Sequence, residues 1–209
     1  MSAAGDLHVH RFVPAADPGI SRTILALHGT GGDENDLIPL AQAVFPGAAV
    51  LSPRGNVLEG SSPRFFRRSA PGVLDLEDLA ARTEELAQFV QVAAEEYGFD
   101  AANVMAIGFS NGANIAVSML LSQSTILRGA VLLSPMLPFV PDESPDLDGT
   151  AVFIGAGNLD QMVPIQQVDQ LEHILANAGA LVTMHKEDVG HTITDREVMA
   201  AQQWAKMLG

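Results

Sequence analysis

The sequence places a serine in the setting of a reactive nucleophile. Ser110 is the centre of the pentapeptide Gly108-Phe109-Ser110-Asn111-Gly112, which follows the apolar run 103–107 and precedes a helix-like run over 113–121. A serine at so sharp a strand-to-helix turn has a strained backbone, which is possible only if the residues two positions away are very small. Both of those residues are glycines, so the sequence predicts a nucleophile elbow with Ser110 as the nucleophile.

This serine needs a base that removes its proton, and the base needs an acid that orients it. His191 lies in a loop after the last apolar run, where the chain order Ser, acid, His places the base of an α/β hydrolase. Asp160 follows a strand and a glycine turn, ahead of a helix that begins near Pro164, and is the predicted acid. The alternative acid, Asp188, is three residues from His191 and is poorly placed to reach the far ring nitrogen.

A glycine-rich loop provides the second half of an expected oxyanion hole. The segment Leu27-His28-Gly29-Thr30-Gly31-Gly32 follows an early apolar run, and glycines let a backbone approach a substrate closely. The backbone N–H groups of Thr30 and Asn111 are the predicted donors, with Gly31 as the alternate for Thr30. The loop has neither the lysine of a P-loop nor the spacing of a dinucleotide-binding motif, so it does not predict nucleotide binding.

Strand and helix patterns alternate along the chain. Apolar runs of strand length occur at 23–27, 49–51, 104–107, 130–133, 151–154 and 181–184, and helical patterns at 35–45, 75–97, 111–122, 164–178 and 194–208. Continuous hydrophobicity indicates strands covered on both faces, and the βαβα alternation indicates a doubly wound, mostly parallel α/β sheet. Residues 7–13 alternate with period two and predict an antiparallel edge strand. His8 and His10 share a face of this strand, which we expect to be solvated; a metal site there is the alternative.

Two long segments without a clear pattern, 52–73 and 134–149, follow strands. Ligands of open α/β sheets bind beyond the carboxyl ends of the strands, so both segments are expected to border the site. Neither segment is long enough to form a separate lid domain. The apolar loop residues predicted to line an acyl pocket are Phe66, Met136, Leu137 and Met162. Residues 134–140 would also offer an apolar patch for a homodimer.

Four of the 11 basic residues fall in the first of these segments: Arg54, Arg64, Arg67 and Arg68. The favoured interpretation is that they pair with surface carboxylates and hold a long loop in place. The alternative is that Arg67 or Arg68 binds a carboxylate or phosphate group of the substrate.

The composition narrows the classes of function. A chain of 209 residues with 47% hydrophobic and 17% charged residues predicts one globular domain over 1–209. The formal net charge of −14 disfavours a nucleic acid or an acidic membrane as partner. The absence of cysteine excludes disulfides and thiolate catalysis, and it favours a cytoplasmic location. No signal peptide is expected, because residues 1–10 do not show a basic region followed by an apolar core. No membrane span is expected, because no run approaches about 18 apolar residues.

Together these motifs resemble the phospholipase/carboxylesterase family of α/β hydrolases, relatives of the acyl-protein thioesterases. The resemblance spans nearly the whole chain and rests on residues 27–37, 52–55, 108–112, 160–164 and 190–191. The segment 63–68 resembles the bacterial carboxylesterase branch associated with hydroquinone stress. Met136 stands where the eukaryotic thioesterases usually have a tryptophan, which argues against specificity for lipidated proteins.

The resemblance implies a serine esterase without a cap domain that hydrolyses small acyl esters or thioesters and needs no metal or nucleotide cofactor. Another hydrolase with the same triad is the nearer alternative: a lysophospholipase, an acyl-protein thioesterase, a lactonase or a peptidase. A non-catalytic binding protein with the same fold is the more distant one.

Overall fold

The computed structural model describes residues 3–70, 72–122 and 126–208. Its strands are β1 (His10–Val13), β2 (Thr23–Leu27), β3 (Ala49–Pro53), β4 (Val57–Glu59), β5 (Ser62–Arg64), β6 (Arg68–Ala70), β7 (Val73–Leu74), β8 (Val104–Phe109), β9 (Gly129–Leu133), β10 (Ala151–Gly157) and β11 (Leu181–Glu187). The α-helices are α1 (Ala3–Leu7), α2 (Ile38–Val44), α3 (Leu76–Tyr97), α4 (Asn111–Ser122), α5 (Ile165–Asn177) and α6 (Asp195–Lys206), and a 3₁₀ turn covers Ala101–Asn103.

Seven of these strands form the central sheet, in the order β1-β3-β2-β8-β9-β10-β11. All neighbours in the sheet run parallel except β1 and β3, which are antiparallel. Every residue of β2, β3, β9 and β10 is buried, as expected for strands covered on both faces. The predicted doubly wound sheet with an antiparallel edge strand is therefore confirmed.

Two layers of helices cover the sheet. Alternate residues of the central strands pack on one face against α3, α4 and α5, and the residues between them pack on the other face against α2 and α6. Successive side chains of a strand point to opposite faces, so one apolar run serves both core layers. No helix in the described part of the chain is both long and apolar enough to cross a membrane.

Local sequence signals account for where the helices next to the site begin. The side chain of Asp75 accepts a hydrogen bond from the Asp78 N–H at 3.1 Å and caps α3. Thr194 caps α6 in the same way, accepting from the Glu197 N–H at 3.0 Å. A proline immediately precedes α5, where its missing N–H costs no helical hydrogen bond.

The segment 52–73, predicted to be irregular, instead contains two small antiparallel hairpins. One pairs β4 with β5 and the other pairs β6 with β7. Strands of only two or three residues are too short to show a period-two pattern, which is why the sequence does not reveal them. The segment 134–149 forms neither helix nor strand, as predicted.

The N-terminal histidines differ from expectation. The strand begins at His10 rather than at residue 7, and His8, which precedes it, is 4% exposed. Its Nδ1 lies 2.9 Å from the Arg54 carbonyl oxygen, and its ring packs edge-on against Phe89. Burial lowers the pKa of His8. The expected solvated face is wrong for His8, and no group of residues suited to hold a metal occurs in the described ranges.

Candidate active site

The strained turn predicted around Ser110 is present between β8 and α4. Ser110 has a positive φ of 51°, and its N–H donates to the Leu133 carbonyl oxygen at 3.0 Å. A Cβ added at Gly108 would lie 2.7 Å from the backbone of Gly112, and one added at Gly112 would lie 2.0 Å from the Leu27 carbonyl oxygen. Neither position has room for a side chain, so the two glycines permit the turn that exposes the serine hydroxyl.

The three side chains predicted to act together lie within hydrogen-bond distance of one another. Nε2 of His191 is 2.8 Å from Ser110 Oγ, and Nδ1 of His191 is 2.6 Å from Asp160 Oδ2. An ionised carboxylate only accepts hydrogen bonds, so Nδ1 carries the imidazole proton in the neutral ring. Nε2 is therefore the basic nitrogen, and it faces the serine hydroxyl.

Asp160 is held in place by backbone donors. Its Oδ1 accepts from the Met162 N–H at 2.7 Å and from the Val163 N–H at 3.0 Å, and its side chain is 2% exposed. Asp188, the alternative acid, instead accepts from Asn158 Nδ2 at 2.7 Å. The geometry therefore favours Asp160 as the partner of His191.

The loops that carry the acid and the histidine are joined through their backbones. The Asn158 N–H donates to the Glu187 carbonyl oxygen at 2.7 Å, and the Leu159 N–H donates to the Val189 carbonyl oxygen at 3.0 Å. A Cβ at Gly157 would lie 2.3 Å from that same Val189 oxygen, so the close approach of the loops depends on this glycine. The distance between Asp160 and His191 is thus set by main-chain contacts at the ends of β10 and β11.

The backbone N–H groups of Thr30 and Asn111 are available as oxyanion donors. Among the described residues, none accepts a hydrogen bond from either group. The N–H of Gly31, the alternate donor, is already used: it donates to the Pro63 carbonyl oxygen at 2.9 Å. The geometry therefore favours Thr30 over Gly31.

His28 anchors the glycine-rich loop that carries Thr30, a role that sequence reasoning did not assign. Its Nε2 accepts from the Gly55 N–H at 2.9 Å, and its Nδ1 lies 2.6 Å from the Gly29 carbonyl oxygen. The ring is 1% exposed, and burial lowers the pKa of His28. A neutral ring, with one donor and one acceptor nitrogen, satisfies both contacts. Its position directly before Gly29 is the only sequence signal for this role.

Two adjoining clefts open at Ser110. The first cleft has a volume of about 290 Å³ and is lined by Thr30, Arg64, Arg68, Gly72, Leu74, Ser110, Asn111, Asn114, Met136, Gln161, Met162, Val163 and His191. The second cleft, of about 400 Å³, is lined by Gly29, Thr30, Gly32, Asp36, Leu37, Arg68, Phe109, Ser110, Met162 and His191. The two clefts offer separate space for an acyl group and a leaving group next to the hydroxyl. Met136 and Met162 lie on the cleft walls, as the sequence predicts.

Three other predicted pocket residues lie elsewhere. Phe66 is completely buried in the core, where a phenyl ring gains about 1.5–3 kcal/mol relative to exposure, and so does not reach either cleft. Leu137 packs against the same core rather than lining a cleft. Arg67 forms ion pairs with Asp75 and Asp78, each at 3.3 Å. For these residues the expected contact with substrate is not supported.

The four arginines divide into two pairs. Arg54 binds Glu34 through two hydrogen bonds, of 2.5 and 2.8 Å, and like Arg67 it is absent from the described lining of both clefts. Arg64 and Arg68 pair with Glu59 but also line the first cleft. The favoured interpretation, ion pairing with carboxylates, is thus correct for all four, while two of them also face the cleft.

Comparison with known proteins agrees with this architecture. The family model for phospholipases/carboxylesterases matches residues 9–208. The protein MhqD of Bacillus subtilis (strain 168) is 44% identical over 183 residues, which cover 88% of this chain and 92% of MhqD. The Bacillus cereus carboxylesterase structure is 48% identical, with a TM-score of 0.94 over 97% of this chain and 95% of that one. A Mesorhizobium loti carboxylesterase structure is 31% identical, with a TM-score of 0.87 over 96% of this chain and 95% of that one. The chain therefore belongs to the phospholipase/carboxylesterase family of α/β hydrolases, as its motifs predict.

Proposed function

We propose that this protein is a serine carboxylesterase that hydrolyses small acyl esters through a Ser110–His191–Asp160 triad and an acyl-enzyme intermediate. The observation that carries the proposal is the pair of contacts made by the His191 ring, 2.8 Å to Ser110 Oγ and 2.6 Å to Asp160 Oδ2. Separations of this size are what a nucleophile and its general base require.

The first half of the reaction acylates the serine. Ser110 Oγ attacks the carbonyl carbon while its proton passes to Nε2 of His191, and the carbonyl electron pair moves onto the substrate oxygen. Asp160 stabilises the imidazolium that results. His191 then gives the proton to the leaving alcohol oxygen, or thiol sulfur, as the bond to the acyl carbon breaks. Water repeats the sequence on the acyl-enzyme and releases the acid.

The developing oxyanion is held by the backbone N–H groups of Thr30 and Asn111. Their freedom from protein acceptors within the described ranges supports this role. Loss of one such donor typically lowers turnover by about 10²- to 10³-fold. Asn111 is also the first residue of α4, so its N–H belongs to the positive end of that helix.

The clefts favour small substrates. Their volumes of about 290 and 400 Å³ lie at the low end of the range for small-molecule sites. Met136 and Met162 offer adaptable apolar contacts to a short acyl chain. A panel of p-nitrophenyl esters of increasing chain length, a thioester, a lysophospholipid, a lactone and a peptide separates this proposal from the alternative hydrolases. The highest kcat/KM is expected for the short esters.

The direct test is the Ser110→Ala variant with p-nitrophenyl acetate and butyrate. Its kcat is expected to fall by at least about 10³-fold, because the covalent step is removed. Ser61→Ala is the matched control, because Ser61 is exposed and lines neither cleft. The activity of this variant should equal that of the wild type. Retention of most activity in the Ser110→Ala protein contradicts the assignment.

A further inference from the structure

Arg64 and Arg68 share a single carboxylate. Arg68 donates to Glu59 Oε1 from Nε at 3.0 Å and from Nη2 at 2.6 Å, while Nη1 of Arg64 lies 3.3 Å from Glu59 Oε2. Two guanidinium groups thus face one carboxylate, and among the described residues one positive charge of this trio has no counter-ion. The neighbouring Arg54 and Arg67 differ, because each has at least one carboxylate of its own.

The uncompensated charge lies on the wall of the first cleft, beside the serine. Arg64 and Arg68 both line this cleft. Among the other described residues of its lining, only His191 has an ionisable side chain. The second cleft shares Arg68 with the first, but it also has the carboxylate of Asp36 on its wall. The chain has a net charge of −14, whereas the wall of the first cleft is positively charged. This cleft therefore attracts an anionic group.

Arg64 is a built part of the cleft rather than a surface side chain. It is 4% exposed; its Nε donates to the Phe66 carbonyl oxygen at 3.1 Å and its Nη1 to Thr30 Oγ1 at 2.6 Å. Burial, and to a smaller extent the charge of Arg68, lowers the pKa of Arg64. A buried charge is costly unless it is paired. An anion in the cleft would supply the missing partner.

Three donors at this wall have no protein acceptor within the described ranges. They are Nη2 of Arg64, Nη1 of Arg68 and the buried Nδ2 of Asn111. The Asn111 amide is oriented by its other end, since Oδ1 accepts from the Phe65 N–H at 2.8 Å. A buried donor without an acceptor is unfavourable, so the Asn111 amide in particular favours a ligand that accepts hydrogen bonds here.

We propose that the first cleft binds a free carboxylate of the substrate, so that the preferred esters carry this acid group on a short chain. The inference rests on the proposed esterase function and names its substrate class. A carboxylate monoanion balances the one unpaired charge of the Arg64, Arg68 and Glu59 trio, and its two oxygens suit guanidinium donors. A phosphate dianion would leave an excess negative charge. The volume of about 290 Å³ restricts the chain that joins the acid to the ester.

The test compares matched esters with and without the acid. Monoethyl glutarate carries the free carboxylate on the acyl side of its ester, and diethyl glutarate is its neutral partner. Acetoxyacetate carries the carboxylate on the alcohol side, and its methyl ester is the neutral partner. The readout is the ratio of kcat/KM for the acidic ester to kcat/KM for its neutral partner, measured by ethanol release for the first pair and by acetate release for the second. We expect this ratio to fall at least about tenfold in Arg68→Gln for one of the two pairs, because a charge-assisted contact is lost.

Two variants sharpen the result. Arg67→Gln removes a charge from the same loop at a residue that lines neither cleft, and its ratio should stay within about twofold of the wild type. Arg68→Lys keeps the charge and should retain part of the preference. The proposal is overturned if the ratio is unchanged in Arg68→Gln for both pairs, or if Arg67→Gln lowers it equally. Failure of the wild type to hydrolyse even the neutral esters refutes the proposed esterase function itself, and the carboxylate subsite with it.

Discussion

Oδ2 of Asp160 lies 2.6 Å from Nδ1 of His191, while its other oxygen is held by two backbone N–H groups. This carboxylate therefore fixes both the orientation of the ring and the nitrogen that carries the proton. In Asp160→Asn the amide can donate to Nδ1, which places the ring proton on Nε2 and removes the base from the serine. We expect kcat for p-nitrophenyl acetate to fall by about 10³- to 10⁴-fold. Asp188→Asn is the matched control, and an equal loss in that variant would contradict the assignment.

The contact between Arg64 and Thr30 suggests a second prediction. The guanidinium donates to Thr30 Oγ1 and to the Phe66 carbonyl oxygen at once, and so fixes a residue of the proposed oxyanion hole. A lysine has one ammonium group and does not reproduce this fork. For the neutral ester p-nitrophenyl acetate, Arg64→Lys is expected to lower kcat about tenfold with a smaller change in KM, because oxyanion contacts act mainly in the transition state. Arg54→Lys, in an ion pair away from both clefts, should leave both constants unchanged.

The tight packing of Gly112, two residues after Ser110, predicts a large effect on stability. A methyl group at Gly112 would lie 2.0 Å from the Leu27 carbonyl oxygen, which belongs to a central strand and moves little. Gly112→Ala is expected to lower the free energy of unfolding by about 3 kcal/mol. Gly98→Ala provides the comparison, because Gly98 has a φ of 73° but open space around it, and its cost should be about 1 kcal/mol. Urea denaturation of both variants measures the difference; equal costs would show that steric contact at Gly112 is unimportant.

Glu197 predicts a pH dependence of stability. It is 5% exposed, its Oε2 has no hydrogen-bond partner within the described ranges, and burial raises its pKa from 4.5 to about 7. Between these values the folded protein keeps a proton that the unfolded chain has lost. The free energy of unfolding contributed by Glu197 therefore falls as the pH rises through this window, by about 3 kcal/mol in total.

The Glu197→Gln variant isolates this effect, because glutamine stays neutral at every pH. Relative to the wild type, the variant should gain stability progressively from pH 5 to pH 8, as measured by urea denaturation. Burial lowers the pKa values of His8 and His28, so at acid pH these two rings make the free energy of unfolding rise with increasing pH. They are common to both proteins and cancel in the difference. A difference that is constant with pH would contradict the buried, protonated state of Glu197.

The sequence predicted the parts of this molecule that depend on strong local signals. The elbow around Ser110 requires tiny neighbours, and the long apolar runs require a sheet buried on both faces, so few alternative structures remain. Ser110, Asp160 and His191 follow the carboxyl ends of the parallel strands β8, β10 and β11, which places them at the same edge of the sheet. These constraints are independent of the details of the loops.

The directions in which the side chains of the hairpin segment 52–73 point could not be predicted from the sequence. In strands of two or three residues, a shift of one position exchanges the buried and exposed faces. Arg67 and Arg68 are adjacent, yet only Arg68 faces the clefts, and Phe66 lies in the core. The same limit applies to the loop 134–140: Met136 lines the first cleft, and Val140 is 61% exposed. A homodimer through this loop stays a prediction, as does a cytoplasmic location.

The most direct test of the account is to label the wild-type protein with a fluorophosphonate and locate the adduct by peptide mass spectrometry. The account predicts one stoichiometric adduct on Ser110, absent from Ser110→Ala and formed far more slowly in His191→Ala, because the base that activates the hydroxyl is missing. An adduct on another residue, or no adduct on a folded protein, would contradict the central claim that these side chains form a working nucleophile.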